Sequence, residues 1–448
     1  MEETRTLEET RTLLENRQFQ QLAAILKELN PADIAALLAD AEPEDILRIF
    51  RLLPKELAAD SFVEMDSDEQ EYLINAFSNR ELSELLDEMF VDDTVDIIEE
   101  MPAGLVKKIL KNTDVDTRRV INQILHYPED SAGSIMTVEY VDLKRDMTIS
   151  EAFSRIRLTG VDSETIYTCY VTDAQRKLLG IVTVKDLLLA NEHTIVGDIM
   201  TTNLIKVSTH DDQEFVAQQF EKYDFAVIPV VDNEDRLVGI VTFDDAMDVI
   251  RQEDTEDIEK MNAIVPSGDS YFNVPVLRHA RNRIVWLLFL MLSATFTGML
   301  ITRYEEAFAA VPLLVSFIPM LMDTGGNCGA QSSTLVIRGL ALEEIQFKDF
   351  FRLWGSELLV ALLCGTTLAL VNFARVMLMY GDLKIGLVTG LTLIGVAMTA
   401  KTLGCVMPML AKKLKLDPAL MASPLITTIT DCVCILVYFN IATGIFHF

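Results

Sequence analysis

An aspartate set among hydroxyls inside an apolar run has the most chemistry to offer in this sequence. Asp431 lies in SPLITTITDCVC, flanked by Ser423, Thr427, Thr428 and Thr430, and Thr427, four residues earlier, shares its helix face. A carboxylate at membrane depth is costly, and one lined by hydroxyls suits a hydrated cation better than an anion or a neutral solute. The competing reading is a structural carboxylate bonded to a neighbouring helix. The phrase DTGGNCGAQ, Asp323 to Gln331, follows Pro312 and Pro319. Gly325, Gly326 and Gly329 weaken a helix, and Asn327 and Gln331 can replace hydrogen bonds that a break frees, so an unwound, carbonyl-rich ion site is expected. Lys401 would oppose a cation and is expected to snorkel or to pair at a pore margin. In the polar part, DDAMDVIRQEDTEDIEKM crowds Asp244, Asp245, Asp248, Glu253, Asp254, Glu256, Asp257 and Glu259 onto one helix. Packed against an acidic neighbour it would be repelled unless divalent cations lay between. A solvated linker helix fits the composition equally well.

The elements that would position these groups fall into a polar and an apolar part. Residues 284–448 hold 10 acidic and 10 basic side chains, so the whole excess of 30 negative charges lies in residues 1–283. That balance excludes a nucleic-acid partner, which needs a basic surface, and points to cations. The apolar part excludes a purely soluble protein. Five stretches can cross a membrane: Ile284 to Ile301, Phe308 to about Ile337, Trp354 to Ala374, Ile385 to Leu410 and Ala419 to Ile445. Arg278, Arg281 and Arg283, then Arg338, Lys348 and Arg352, then Lys412, Lys413 and Lys415 mark alternate ends as internal. The positive-inside rule puts residues 1–283 in the cytoplasm and Phe448 outside. The opening segment has no apolar signal core, which agrees. The six cysteines show no zinc-ligand spacing, and the five histidines form no chelating cluster. No nucleophile and base pair or phosphate loop emerges, so an enzyme is not expected.

Residues 30–111 repeat a short helical phrase punctuated by Pro31, Pro43, Pro54 and Pro102, as in NPADIAALLADAE and EPEDILRIFRLLP. Asn30 with Pro31 has the pattern of an N-cap, and Ser67 with Gln70 the spacing of a capping box. A stack of short amphipathic helices, wound into a superhelix, is expected. Residues 131–252 carry a duplication: SIMT at 134 returns as DIMT at 198, and LLGIVTVKDLL as LVGIVTFDDAM, each copy reading strand, turn, strand, helix. This pair resembles a tandem CBS module. The resemblance implies that Thr183 with Asp186, and Thr242 with Asp245, could touch the ribose of an adenine nucleotide such as ATP, although a threonine-capped helix start explains the same residues.

The apolar part resembles the MgtE family of magnesium channels and transporters, through GGNCGAQSSTLVIRGLA (325–341) and LDPALMASPLITTITD (416–431). The order of an acidic helical domain and a CBS pair before them matches too. The resemblance implies a multidomain protein: an all-α superhelical domain over 1–130, an α/β tandem CBS module over 131–252, an acidic connecting helix over 244–270 and a five-helix transmembrane domain over 271–448. It also implies a homodimer with one ion path on the two-fold axis, where Asp431 of both protomers binds hydrated Mg²⁺ and Asp417 lies at the cytoplasmic mouth. Thr427, Asn327 and Gly325 complete the expected pore set. Regulatory carboxylates would be Asp92 and Asp96; Asp212, Glu214, Glu221 and Asp224; and Asp245, Asp248, Glu253, Glu256 and Asp257. Mg²⁺ dehydrates reluctantly and suits a few carboxylates and carbonyls acting through water. The expected function is therefore Mg²⁺ uptake across the plasma membrane, closed by cytoplasmic Mg²⁺ bound between acidic faces. An ion-coupled carrier and a non-conducting membrane sensor of cations or nucleotide are the alternatives.

Overall fold

The computed structural model describes residues 10, 12–13, 16, 18–39, 41–267, 271, 274–342, 344–421 and 423–447. The start of the opening segment, residues 268–270 of the expected connecting helix, the Ser423 side chain and Phe448 lie outside the described residues. The chain forms two compact units, Met1–Arg251 and Gln252–Phe448.

The first unit opens with nine short helices among the described residues, from α1 (Phe19–Leu26) and α2 (Pro31–Ala39) to α7 (Val91–Glu100), α8 (Ala103–Asn112) and α9 (Val115–Ile124). Each contributes apolar residues three and four apart, such as Ile34, Leu37 and Leu38 or Leu82, Leu85 and Leu86, to one continuous core. Prolines start α2 and precede Lys55 and Ala103, where a missing N–H costs the helix nothing. The capping box expected at Ser67 and Gln70 is absent. Asp66 precedes that helix, Ser67 is already its first residue and bonds Glu100, and the buried Gln70 donates Nε2 to the Phe62 carbonyl at 2.9 Å. Ser78 with Glu81 makes the box instead, eleven residues after the expected Ser67.

The duplicated phrase builds two sheets of the same design. Parallel β1 (Tyr140–Lys144) joins the antiparallel pair β2 (Thr165–Thr172) and β3 (Leu178–Thr183); β4 (Val207–Ser208) joins β5 (Val227–Val231) and β6 (Leu237–Thr242) likewise. The two SIMT-like anchors are exchanged between the copies. Thr137 bridges to Ile240 of the second copy, and Thr201 to Ile181 of the first. A Cβ on Gly239 would meet Met136 Sδ at 2.6 Å, and one on Gly180 would meet Met200 Sδ at 2.9 Å, so each GIVT strand needs its glycine for the other copy's anchor to pass. From β6 the chain enters a 19-residue helix, Phe243–Met261, which we call the connecting helix.

In the second unit four helices are long and apolar enough to cross a membrane: Val276–Arg303, Phe347–Met379, Leu383–Lys413 and Pro424–Phe446. The stretch from Phe308 to about Ile337 behaves differently. It breaks at Val311, passes through a 3₁₀ segment at Pro312–Phe317, and then runs as one unbroken helix, Ile318–Ala341. Pro312 and Pro319 lack the donors a continuing helix needs, so the break falls there. The glycines do not unwind. They lie inside the helix and let its neighbours come close: a Cβ at Gly329 would meet Ile426 Cγ2 at 2.7 Å, and one at Gly404 would meet the Gly329 carbonyl at 2.5 Å. What a glycine loses in helix propensity is offset by this contact between backbones.

Candidate functional site

Two carboxylate-rich places stand out, one in each unit. In the first, α7 presents Asp92, Asp93 and Asp96. Phe90 supplies no side-chain cap to this helix; Glu139 does, its Oε2 accepting from the Val91 N–H at 3.1 Å and from Thr137 Oγ1 at 2.7 Å. The Glu164 N–H donates to the Glu139 carbonyl at 2.8 Å, which brings a third segment in. The charges of Asp244 and Asp245 reach the same group, and Asp245 accepts from the hydroxyl of Thr242. Burial, reinforced by Asp245, holds Asp92 well above the ordinary carboxylate range; Asp96, hemmed in by the cluster although its side chain reaches the surface, is raised to about 8 by the same causes. The same causes raise Asp93 to about 7. Burial and then Asp93 raise Glu164 to about 8, and burial lifts Asp245 to about 6 against its bond to Thr242. No lysine or arginine among the described residues pairs with any of them. Nor do three His, Cys, Asp or Glu side chains among the described residues converge as direct ligands of one ion. The set suits a positive charge held through water.

The other expected regulatory residues are spread out. Asp212 caps the helix Gln213–Tyr223, receiving the Glu214 N–H at 2.9 Å, whereas Asp224 ends it in the left-handed conformation at φ 53° and Glu221 lies in its last turn. Eleven residues of helix, about 16 Å, separate the two ends, so these four carboxylates form no single site. On the connecting helix Asp248 pairs with Arg251 at 3.1 Å and Glu256 with Lys260 at 2.7 Å. Asp254 meets Arg338 at 3.1 Å. Asp257 is raised by burial and then by the charge of Asp417. Glu253 is partly exposed.

In the second unit Asp431 lies on the helix Ser423–Phe446, half-buried, with no basic partner among the described residues. Thr427 faces the glycines: its Cγ2 would be 3.0 Å from a Cβ on Gly326, and Thr430 Cγ2 equally close to one on Gly325. Asn327 is exposed and donates Nδ2 to Asp323 Oδ2 at 3.3 Å. Of the expected pore set, Thr427 and Gly325 thus lie where the two helices touch, whereas Asn327 lies on the exposed side of its helix beside Asp323. The Thr427 and Thr428 hydroxyls both donate to the Pro424 carbonyl at 2.9 Å, so each oxygen keeps its capacity as an acceptor. Asp417 belongs elsewhere, in the turn before that helix. It accepts the Ala419 N–H at 2.8 Å and pairs with Lys260 of the connecting helix at 2.8 Å.

Lys401 does not snorkel; of the two outcomes expected for it, it pairs. It is 4 % exposed, 3.3 Å from Glu357 Oε2 and 3.0 Å from Ser332 Oγ, and Ser332 in turn donates to the same carboxylate at 2.6 Å. The charge is neutralised inside the bundle, which a lone ammonium at that depth requires. Sequence reasoning missed Glu357, although a single acid inside an apolar stretch was signal enough. It also missed Glu139 and Glu164, for which sequence offers no signal because they join Asp92 only through the fold. In the CBS module Thr183 and Asp186 form a complete capping box, so the bland reading of those residues holds structurally. Beside them is a cleft of about 590 Å³ lined by Tyr167, Thr168, Thr183, Lys185, Leu188 and Leu189 among others.

A chain with long apolar helices, a carboxylate among them with no basic partner among the described residues, and an acidic unit that contains a CBS-like pair defines a class: membrane proteins that handle cations. Comparison with known proteins sharpens this. The profile described as "Divalent cation transporter" matches residues 318–441, that of the "MgtE intracellular N domain" 29–130, and that of the CBS domain 132–193 and 196–252. The chain is 35 % identical to the magnesium transporter MgtE of Thermus thermophilus over 433 residues, 96 % of each chain. It is 31 % identical to that of Bacillus subtilis over 440 residues, 97 % of this chain and 96 % of the relative. The solved cytosolic domain of the Mg²⁺ channel MgtE in complex with ATP superposes with a TM-score of 0.52 at 36 % identity, over 54 % of this chain and 99 % of that one. The soluble part of a magnesium transporter gives 0.53 at 28 % identity, over 56 % and 99 %. The chain belongs to the MgtE family.

Proposed function

We propose that this protein passes Mg²⁺ through the plasma membrane down its electrochemical gradient, and that cytoplasmic Mg²⁺ closes the path. The observation that carries the reading is Asp431: a carboxylate at membrane depth with no basic partner among the described residues, in a bundle that pairs Lys401 internally with Glu357. A passing dication in its water shell is the partner such a group lacks. The path is formed on the two-fold axis of a homodimer, Asp431 of both protomers facing the ion and Thr427, Asn327 and Gly325 beside it. The helix Ile318–Ala341 supplies the fifth span. Residues 1–283 are cytoplasmic, with a superhelical domain over 1–130, the CBS module over 131–252 and a connecting segment over 244–270 of which Phe243–Met261 supplies the helix, and the membrane domain over 271–448 ends outside.

Regulation follows from the acidic cluster. Asp92, Asp93, Asp96, Glu139, Glu164 and Asp245 gather around one buried carboxylate, Asp92, with no lysine or arginine among the described residues paired to them, so Mg²⁺ entering through water favours the arrangement that gathers them. Ligand-biased selection of that arrangement closes the path. Asp212, Glu214, Glu221, Asp224, Asp248, Glu253, Glu256 and Asp257 add negative surface at which further ions are held. ATP takes the cleft lined by Thr183, with Asp186, Thr242 and Asp245 beside the two helix starts. The test of transport is Mg²⁺ entry into dye-loaded liposomes containing wild type or Asp431→Ala. Entry with the wild type and loss with the variant are expected; equal entry would remove Asp431 from the path.

A further inference from the structure

The helix Ile318–Ala341 has two faces of opposite character. Gly325, Gly326, Cys328, Gly329, Ser332 and Ser333 are buried against neighbouring helices. Asp323, Asn327, Gln331 and Thr334, spaced four, four and three apart, are all exposed. Such spacing lines them up along one side of the helix. A polar face of this length at membrane depth cannot be left against hydrocarbon, where each group would lose its hydrogen bonds to water.

The glycine contacts also fix the register between this helix and Ser423–Phe446. A Cβ at Gly329 would touch Ile426, one at Gly326 would touch Thr427, and one at Gly325 would touch Thr430. Numbers fall on one helix as they rise on the other, so the pair is antiparallel. Carried on by half a turn, the same register brings Asp323 level with Asp431. Asp323 has no basic partner among the described residues; its neighbour is the Asn327 amide, whose Nδ2 it accepts at 3.3 Å.

We propose that Asp323 is a second carboxylate of the ion path, abreast of Asp431, and that it sets the preference for divalent over monovalent cations. The inference rests on the reading of Asp431 as a pore residue. Two carboxylates at one level repel each other, and a dication relieves that repulsion more than a monovalent ion, because its interaction with each is doubled. In the homodimer the level becomes a ring of four negative groups. Asn327 positions Asp323 by holding one oxygen and leaving the other to face the ion.

The test is Mg²⁺ block of Na⁺ current in planar bilayers holding full-length protein. Asp323→Asn is expected to need about tenfold more Mg²⁺ for half block, the loss of one close charge at intermediate dielectric, whereas Asp323→Glu, which keeps the charge, shifts the block less than Asp323→Asn does. Asp431→Asn is measured alongside. If Asp323→Asn blocks as wild type does while Asp431→Asn is impaired, the role of Asp323 falls and the pore stands. If both behave as wild type, the pore reading falls with it. Should Asp323→Asn not assemble, Asp323→Cys is treated with a cationic methanethiosulfonate in a background lacking Cys364. A changed current that Mg²⁺ protects supports the assignment, and an unchanged current overturns it.

Discussion

Lys260 holds its ammonium 2.8 Å from Asp417 and 2.7 Å from Glu256, so the turn before the aspartate-bearing helix is tied to the connecting helix by a tethered cation. Burial works against the charged lysine, yet the bonds to Asp417 and then Glu256 outweigh it and raise its pKa. Asp254 and Arg338 make a second tie 3.1 Å long, about one and a half turns earlier. Both partners of the first tie are largely covered, so water screens it little.

Replacing Lys260 by Met should release the connecting helix when Mg²⁺ is scarce, since Glu256, Asp257 and Asp417 are then left to repel one another. A charge-assisted bond contributes about 1.5 kcal/mol, close to tenfold in population. Cleavage by protease at residues 262–267 should rise by about that factor in chelator and return to the wild-type rate in millimolar Mg²⁺, which can replace the ammonium. Unchanged cleavage in chelator would mean the tie contributes nothing.

The acidic cluster predicts a pH dependence in metal-free protein. Asp93 and Asp96 have folded pKa values of about 7 and 8, above their unfolded range, so the folded state binds protons more tightly. Their cost to stability is full above about pH 8 and fades as pH falls through the folded values. In EDTA, the melting temperature of the unit that holds the cluster should therefore rise from pH 8.5 to pH 6, by less than the two shifts taken alone would give, because the Asp96 side chain is exposed and water screens it. Saturating Mg²⁺ should flatten the difference, because the ion supplies the positive charge that protons otherwise bring. A melting point that falls on acidification would contradict the packing of these carboxylates.

The buried pair of Lys401 and Glu357 predicts non-additivity. Either Lys401→Met or Glu357→Gln leaves a polar or charged partner stranded, at about 3 to 5 kcal/mol for a stranded charge. Lys401→Met with Glu357→Met should recover most of that loss in detergent melting. Additive losses would show the two side chains to be independent.

The close approach of Gly404 to Gly329 predicts a position-specific effect of one methyl group. Gly404→Ala should cost about 1 to 3 kcal/mol, since its Cβ would stand 2.5 Å from a backbone oxygen that cannot swing away. Gly355→Ala, with nothing within 4 Å, should be near neutral and serves as the control.

What the sequence made legible was local or repeated. The strand, turn, strand, helix order of both CBS copies, the acid-rich connecting helix and four apolar spans follow from periodicity within ten to thirty residues. Where two local rules competed, the outcome needed tertiary packing. DTGGNCGAQ is weak as a helix, but Gly404, Ile426 and Thr427 press on it and hold it helical. Ser67 had capping spacing, but Gln70 is buried under the Phe62 carbonyl and unavailable to cap. The third class was never visible locally: Glu139 caps Val91 across 48 residues, and Lys401 finds Glu357 across 44.

The most direct measurement is Mg²⁺ current through full-length protein in a planar bilayer as free Mg²⁺ on the side of the soluble unit is raised from micromolar to about 10 mM, the range in which a weakly held, water-clad ion titrates. Current should be high at the low end and fall steeply as the acidic cluster fills, with the fall moved to higher Mg²⁺ in Asp92→Asn and Asp245→Asn. A current that ignores Mg²⁺ on that side would contradict control by the transported ion.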